Sequence, residues 1–269
     1  MDNRAIGIFD SGLGGLTAAK ALRELMPDEN ILYFSDSGRM PYGSRSAEQL
    51  CEICRQDIDL LRERGVKAII AACGTISSNA APVIDSCALP AVGVMLPGAR
   101  AMSRLPGSGP LGIIATAASI RDGGFQKALQ ALCPDREIIA VPCPEFASLI
   151  EHGHSTMGDP LLQEAIGRCL APLRDIALDG LLLGCTHYGI IADSIDAYLK
   201  GRVPLVSASE SAAEEMRDHL LAHGMEGSGG SLRFITSGDV REFSDFAAPL
   251  FGLDSIEVEQ TPIMEVSAG

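Results

Sequence analysis

Short, unbroken aliphatic runs recur along most of this chain, and stretches with apolar residues at helical spacing separate them. Continuous rather than alternating apolar runs belong to strands buried on both faces, as parallel sheets require. Strands are expected at Ile6–Phe9, Ile31–Phe34, Ala68–Ala72, Ala91–Val94, Leu111–Ala115, Ile138–Val141, Gly180–Leu183, Leu205–Val206 and Leu232–Thr236. Helices are expected at Leu16–Met26, Ala47–Arg64, Gly124–Leu132, Pro160–Ile176, Asp193–Leu199, Ser211–Ala222 and Phe243–Leu250. Such alternation defines an α/β protein with parallel sheets. At roughly 150 residues per domain, 269 residues suggest two domains. The stretch from Pro97 to Pro110 reads as a crossing between them, and a second lies near Val203–Ser207. Residues 1–97 with 208–269 would then form one domain and residues 98–207 the other. The Gly-rich stretch Glu226–Gly230 reads as a flexible surface loop.

A weak internal repeat carries more information than any single element. Ile6-Gly7-Ile8-Phe9 closes on Asp10-Ser11, and Leu111-Gly112-Ile113-Ile114 closes on Ala115-Thr116. Further on, the run Ala68–Ala72 closes on Cys73-Gly74-Thr75, while Leu181-Leu182-Leu183-Gly184 closes on Cys185-Thr186-His187. Cys73 lies 62 positions after Ser11, and Cys185 lies 69 after Thr116. Each half therefore offers a hydroxyl and a Cys-containing turn at the C-terminal ends of buried strands, where open α/β sheets bind ligands.

Eight cysteines in 269 residues are too sparse for a secreted disulfide scaffold. No signal-peptide pattern or membrane-spanning apolar run stands out, so free thiols in a soluble, cytoplasmic protein are expected. Cys51 and Cys54 form a C-x-x-C, but they fall on the apolar stripe of a helix with Leu50, Ile58 and Leu61, without further zinc ligands at matching spacing. Cys169 occupies a similar stripe, and Cys87, Cys133 and Cys143 sit at turns or strand edges without a nearby base. Cys73 and Cys185 differ, because each ends a strand where a helix is about to start. The helix dipole and free N–H groups there would lower the thiol pKa. Asp10-Ser11-Gly12-Leu13-Gly14-Gly15 follows a strand and opens a helix, so Asp10 is either a helix cap or part of a ligand loop. A net charge of −14 and a pI near 4.7 argue against nucleic-acid and anionic-membrane partners.

Taken jointly, the motifs resemble those of glutamate racemases in the aspartate/glutamate racemase superfamily. The matching residues are Ile8 to Thr17, Asp36 with Pro41-Tyr42-Gly43, Ala72-Cys73 with Thr75, Leu111 to Thr116, Cys143-Pro144 followed by Glu151, Gly184 to Tyr188, and Thr236-Ser237-Gly238. The resemblance implies two pseudo-symmetric α/β domains enclosing the substrate, no cofactor, no metal, and room for a homodimer. It implies that Cys73 and Cys185 exchange a proton with opposite faces of the glutamate α-carbon, supplying D-glutamate for peptidoglycan. Asp10 would assist Cys73, and His187 with Glu151 would assist Cys185. Asp10, Ser11, Tyr42, Gly43, Gly74, Thr75, Thr116, Thr186 and His187 would bind the substrate. Three positions depart from the family's habit: Gly74 stands where Asn is common, Gly189 where Pro is, and Ser207 where Asp is. Gly74 keeps a backbone N–H but loses an amide contact, about 1–3 kcal/mol if its partner is left unpaired. That loss bears on substrate choice and rate, so aspartate or another amino acid is the rival substrate. A catalytically weak binding or regulatory homologue is the rival of another class.

Overall fold

The computed structural model describes residues 1–263. Its strands, in chain order, are β1 (Ile6–Asp10), β2 (Ile31–Ser35), β3 (Ala68–Ala71), β4 (Ala91–Gly93), β5 (Leu111–Ala115), β6 (Ile138–Pro142), β7 (Gly180–Leu183), β8 (Leu205–Ser207), β9 (Leu232–Thr236) and β10 (Val258–Gln260). They form two sheets, ordered β10-β9-β2-β1-β3-β4 and β6-β5-β7-β8, and every described pairing is parallel. β1, β2, β3, β5 and β7 are buried along their whole length, which is why their sequences are unbroken aliphatic runs.

The repeat seen in the sequence is a repeat of topology. β2-β1-β3-β4 in one sheet has the same order as β6-β5-β7-β8 in the other. Ile6 pairs with Ala68 and Leu111 with Gly180, separations of 62 and 69 residues. These are the separations between Ser11 and Cys73 and between Thr116 and Cys185. The ladder register therefore brings each hydroxyl beside its cysteine, just past the C-terminal strand ends.

The halves share a core in which Leu16, Ala99, Met102, Leu111, Leu182 and Ala208 belong to one cluster. Two helices supply the stitching. Met95–Ser103 occupies the first half of the stretch expected to be a crossing, with Pro97 in its first turn, where a missing N–H costs nothing. Ala208–His223 starts earlier than expected because the Ser207 side chain caps it at the N–H of Glu210. The expected helix Pro160–Ile176 instead ends at Leu170 and continues as a 3-10 turn, Ala171–Leu173, because Pro172 cannot donate the next backbone bond. The helix start expected after Cys73 is the six-residue Gly74–Asn79, and four further short helices went unanticipated: Ala81–Asp85, Met95–Ser103, Ala117–Asp122 and Glu145–Glu151. Cys54 packs in the core and Cys51 is half-buried beside it, on the helix Ala47–Glu63.

The Gly-rich loop also differs from expectation, since Gly227 N–H donates to Glu29 and the N–H groups of Gly229 and Gly230 donate to the Asp28 carbonyl. Fully buried Lys67 completes the anchor by donating to Glu29 and to the carbonyls of Asp2 and Met225. No described helix is long and apolar enough to cross a membrane.

Candidate active site

At the C-terminal ends of β1, β3, β5 and β7 lies a cavity of about 420 Å³. All twelve residues singled out in the sequence line it: Asp10, Ser11, Tyr42, Gly43, Cys73, Gly74, Thr75, Thr116, Glu151, Cys185, Thr186 and His187. A larger cavity, about 620 Å³, lies against β9 and β10 and shares none of these residues. The charged side chains facing the smaller cavity are Asp10, Glu151 and His187, and no Lys or Arg joins them.

Cys73 follows β3 and opens the helix Gly74–Asn79. Its sulfur lies 3.8 Å from Ser11 Oγ and receives the N–H groups of Ile76 and Thr75, which favour the thiolate. Those donors lose to burial and to the neighbouring Asp10 charge, which together push the thiol well above its ordinary range. The expectation that a helix N-terminus lowers this pKa is thus reversed: the helix has only six residues, and the thiol is shut away from water beside a carboxylate. Asp10 does both things the sequence left open. Its Oδ2 accepts the Gly15 N–H at 2.7 Å, closing the loop before the helix Leu16–Leu25. Its Oδ1 is buried without a partner among the described residues, in a residue that lines the cavity.

Cys185 ends β7, and a 3-10 stretch, Thr186–Ile191, follows it instead of an α-helix. Its sulfur is 3.7 Å from His187 Nδ1, and His187 Nε2 is 2.8 Å from Glu151 Oε1. Burial alone would lower the His187 pKa, but its bonds to Cys185 and Glu151 raise it well above the ordinary imidazole value. Glu151 arrives from the last turn of the helix Glu145–Glu151. The Asp10 loop approaches this side closely, since a Cβ on Gly14 would lie 2.4 Å from His187 Nδ1 and 2.5 Å from Thr186 Oγ1.

Two of the expected substrate ligands spend their hydroxyls elsewhere. Tyr42 lines the cavity, but its hydroxyl donates to the buried carboxylate of Asp36. Thr116 Oγ1 accepts the Ser119 N–H at 3.2 Å and caps the helix Ala117–Asp122. Sequence reading missed Met40, Ser119 and Ser148 in the lining, along with the buried Arg39–Asp57 pair behind Tyr42. Two signals were present. Ser148 and Glu151 are three apart, one face of a helix, and Asp57 places a carboxylate on the apolar stripe of Leu50, Cys54, Ile58 and Leu61.

Two parallel α/β sheets thus bring one thiol each to a shared cavity, with an acid beside one and a His–Glu pair beside the other. The sequence agrees at the level of family: the chain belongs to the Asp/Glu/Hydantoin racemase family, whose sequence model matches residues 17–216. It is 34% identical over 256 residues to the glutamate racemase of Thermoanaerobacter pseudethanolicus, covering 94% of this chain and 95% of that one. It is 36% identical over 245 residues to the glutamate racemase of Gloeobacter violaceus, covering 91% of each. Among solved structures it resembles the glutamate racemase of Francisella tularensis in complex with D-glutamate, with TM-score 0.86, 30% identity and 98% of both chains covered.

Proposed function

We propose that this chain interconverts L- and D-glutamate without a cofactor, using Cys73 and Cys185 as the two acid/base groups, and so supplies D-glutamate for peptidoglycan. The observation that carries this reading is the pair of register-matched thiols, one at the end of β3 and one at the end of β7, lining one cavity. Inverting a stereocentre by proton transfer needs a base on one face and an acid on the other. Two sheets meeting at their C-terminal ends can offer both, whereas a single strand end cannot. The same reading divides the chain into residues 1–97 with 208–269 and residues 98–207, a division supported by the separation of the described strands into two sheets, residues 264–269 lying outside the described residues.

The two faces are prepared differently. Cys73 is held as a thiol, ready to donate a proton, while Asp10 Oδ1 is free to accept one or to meet the substrate ammonium. On the other face His187 is held protonated between Cys185 and Glu151, so it can donate toward that sulfur. Bringing an ammonium cation beside Asp10 offsets the charge that holds the Cys73 proton, which eases its transfer once substrate is bound. With no Lys or Arg in the lining, the substrate carboxylates would be met by Ser11, Thr75 and Thr186 hydroxyls and by backbone N–H groups. Expelling water from the cavity strengthens each of these contacts.

Gly74 is compatible with this scheme: it brings no side-chain amide to the substrate, and a Cβ there would lie 2.7 Å from the Gly184 carbonyl oxygen, an approach that suits glycine. The test follows optical rotation with either glutamate enantiomer and α-proton exchange in D2O. Both signals are expected with wild type, and inversion is expected to collapse in Cys73→Ala and in Cys185→Ala. Loss of neither signal in the variants, or no inversion of glutamate by the folded wild type, refutes the proposal. Exchange with aspartate but not glutamate would move the substrate while leaving the thiol pair in place.

A further inference from the structure

The turns that carry the two thiols touch each other. Gly74 immediately follows Cys73, Gly184 immediately precedes Cys185, and a Cβ on Gly74 would lie 2.7 Å from the Gly184 carbonyl oxygen. That oxygen is backbone, so no side-chain rotation can make room. A second contact lies beside the first, outside the cavity lining. Thr17, on the helix Leu16–Leu25, places its hydroxyl 2.8 Å from the Gly14 carbonyl, 3.2 Å from the Thr186 carbonyl and 2.8 Å from Ser209 Oγ. The single Thr17 proton is shared among three acceptors, the carbonyls of Gly14 and Thr186 and the hydroxyl oxygen of buried Ser209. The Cys185 segment is thereby seated on the first half at both ends, through Gly184 and through Thr186.

We propose that Gly74 and Thr17 are positioning residues that set the spacing between the Cys73 and Cys185 sulfurs. The inference rests on the two-thiol reading above and deepens it. Removing and returning a proton on one face needs one sulfur near the α-carbon, whereas inversion needs both sulfurs in reach of the same carbon at once. A wider spacing therefore weakens inversion more than it weakens exchange on the starting face. A general loss of structure would lower both together.

The experiment compares wild type, Gly74→Ala, Thr17→Val and Thr17→Ser in D2O, starting separately from L- and D-glutamate. Nuclear magnetic resonance follows loss of the α-proton, circular dichroism follows inversion, and thermal melts confirm that each protein is folded. For Gly74→Ala and Thr17→Val, inversion is expected to fall about 100-fold, the scale of a misplacement of about 1 Å. The ratio of exchange to inversion is expected to rise at least about tenfold in both, with KM within about threefold of wild type in Thr17→Val, whose residue lies outside the cavity lining. Thr17→Ser keeps the hydroxyl and is expected to stay near the wild-type ratio. An unaltered ratio in both Gly74→Ala and Thr17→Val overturns the proposal. Should Gly74→Ala not fold, Thr17→Val decides alone by the same criterion. Wild type that exchanges no α-proton at all refutes the two-thiol reading itself, and that result is in hand before any variant is compared.

Discussion

Behind Tyr42, a buried guanidinium holds two buried carboxylates, and removing it gives a test of how the cavity wall is built. Arg39 is 5% exposed, and Asp36 and Asp57 are 0% and 1% exposed. Arg39 Nε lies 2.6 Å from Asp36 Oδ2, and Nη2 lies 2.5 Å from Asp57 Oδ1. Even so, burial and repulsion from Asp36 hold the Asp57 carboxyl well above the usual range. Burial raises Asp36 as well, against the pull of Arg39, Tyr42 and Ser237. Arg39→Met keeps much of the volume and deletes the charge, leaving two uncompensated acids, which costs about 3–5 kcal/mol where a buried pair is broken. A carboxyl whose folded pKa lies above its unfolded one stabilises the fold at low pH and loses that contribution as pH rises through the folded value. Losing Arg39 drives both carboxyls further up, so the deficit should be greater at about pH 8 than at about pH 5, where the acids can take up protons. Urea unfolding at the two pH values measures this; at about 2.5 kcal/mol per molar, the expected midpoint drop near pH 8 is about 1–2 M. A drop worth under about 1 kcal/mol, or one equal at both pH values, would refute the claim that Arg39 neutralises the pair.

Three further outcomes follow from the same geometry. Gly14→Ala sets a methyl against His187 Nδ1 and Thr186 Oγ1, so inversion should fall by about 100-fold in a protein that still melts cooperatively, and wild-type turnover would show that the loop yields freely. Glu151→Gln removes a charged partner of His187, worth about 1.5–3 kcal/mol for a hydrogen bond to a charged group. Because the folded His187 pKa is raised, that stability is full below about pH 6.5 and fades as pH rises through the folded value, so the deficit seen by thermal melting should shrink in alkali; a deficit that grows with pH would contradict the sign. Lys67→Met leaves buried Glu29 without its cation and should lower stability by about 3–5 kcal/mol in urea titration while kcat of the folded fraction is unchanged, and a neutral result would show that Glu29 takes a proton at no cost.

The sequence betrayed the site through its strands and hid it wherever side chains from distant positions meet. Aliphatic runs located nine of the ten described strands; β10 is three residues, two of them polar, and carries no apolar pattern. The short helices after β5 and β6 escaped notice because six or seven residues span fewer than two turns, too few for a period to show, and the one after β3 was legible only as a start behind Cys73. Their starts are fixed by the strand ends they follow and not by their own composition. Arg39 was invisible for another reason: its partners Asp36 and Asp57 lie on two different elements, and only the fold brings them to one guanidinium.

The thiols show most clearly where sequence stops and structure begins. In a parallel ladder the separation between paired residues is constant, so a spacing of 62 or 69 carried from strand to strand end locates a hydroxyl beside a cysteine before any coordinates exist. What that spacing cannot carry is protonation. A helix N-terminus following Cys73 argued for a thiolate, yet the thiol is 5% exposed and faces Asp10, so the low-dielectric surroundings outweigh two N–H donors and the proton stays on sulfur. The same balance bears on the proposed function, in which a chain of net charge −14 would hold an anionic amino acid. Attraction at long range would be absent, and on that proposal the cavity would work instead through N–H and O–H dipoles at strand ends, effective only once water has left. On the proposed reading, charge on the substrate would be met group by group, the ammonium by Asp10 and the carboxylates by donors from both sheets, at the same strand ends that hold the two sulfurs.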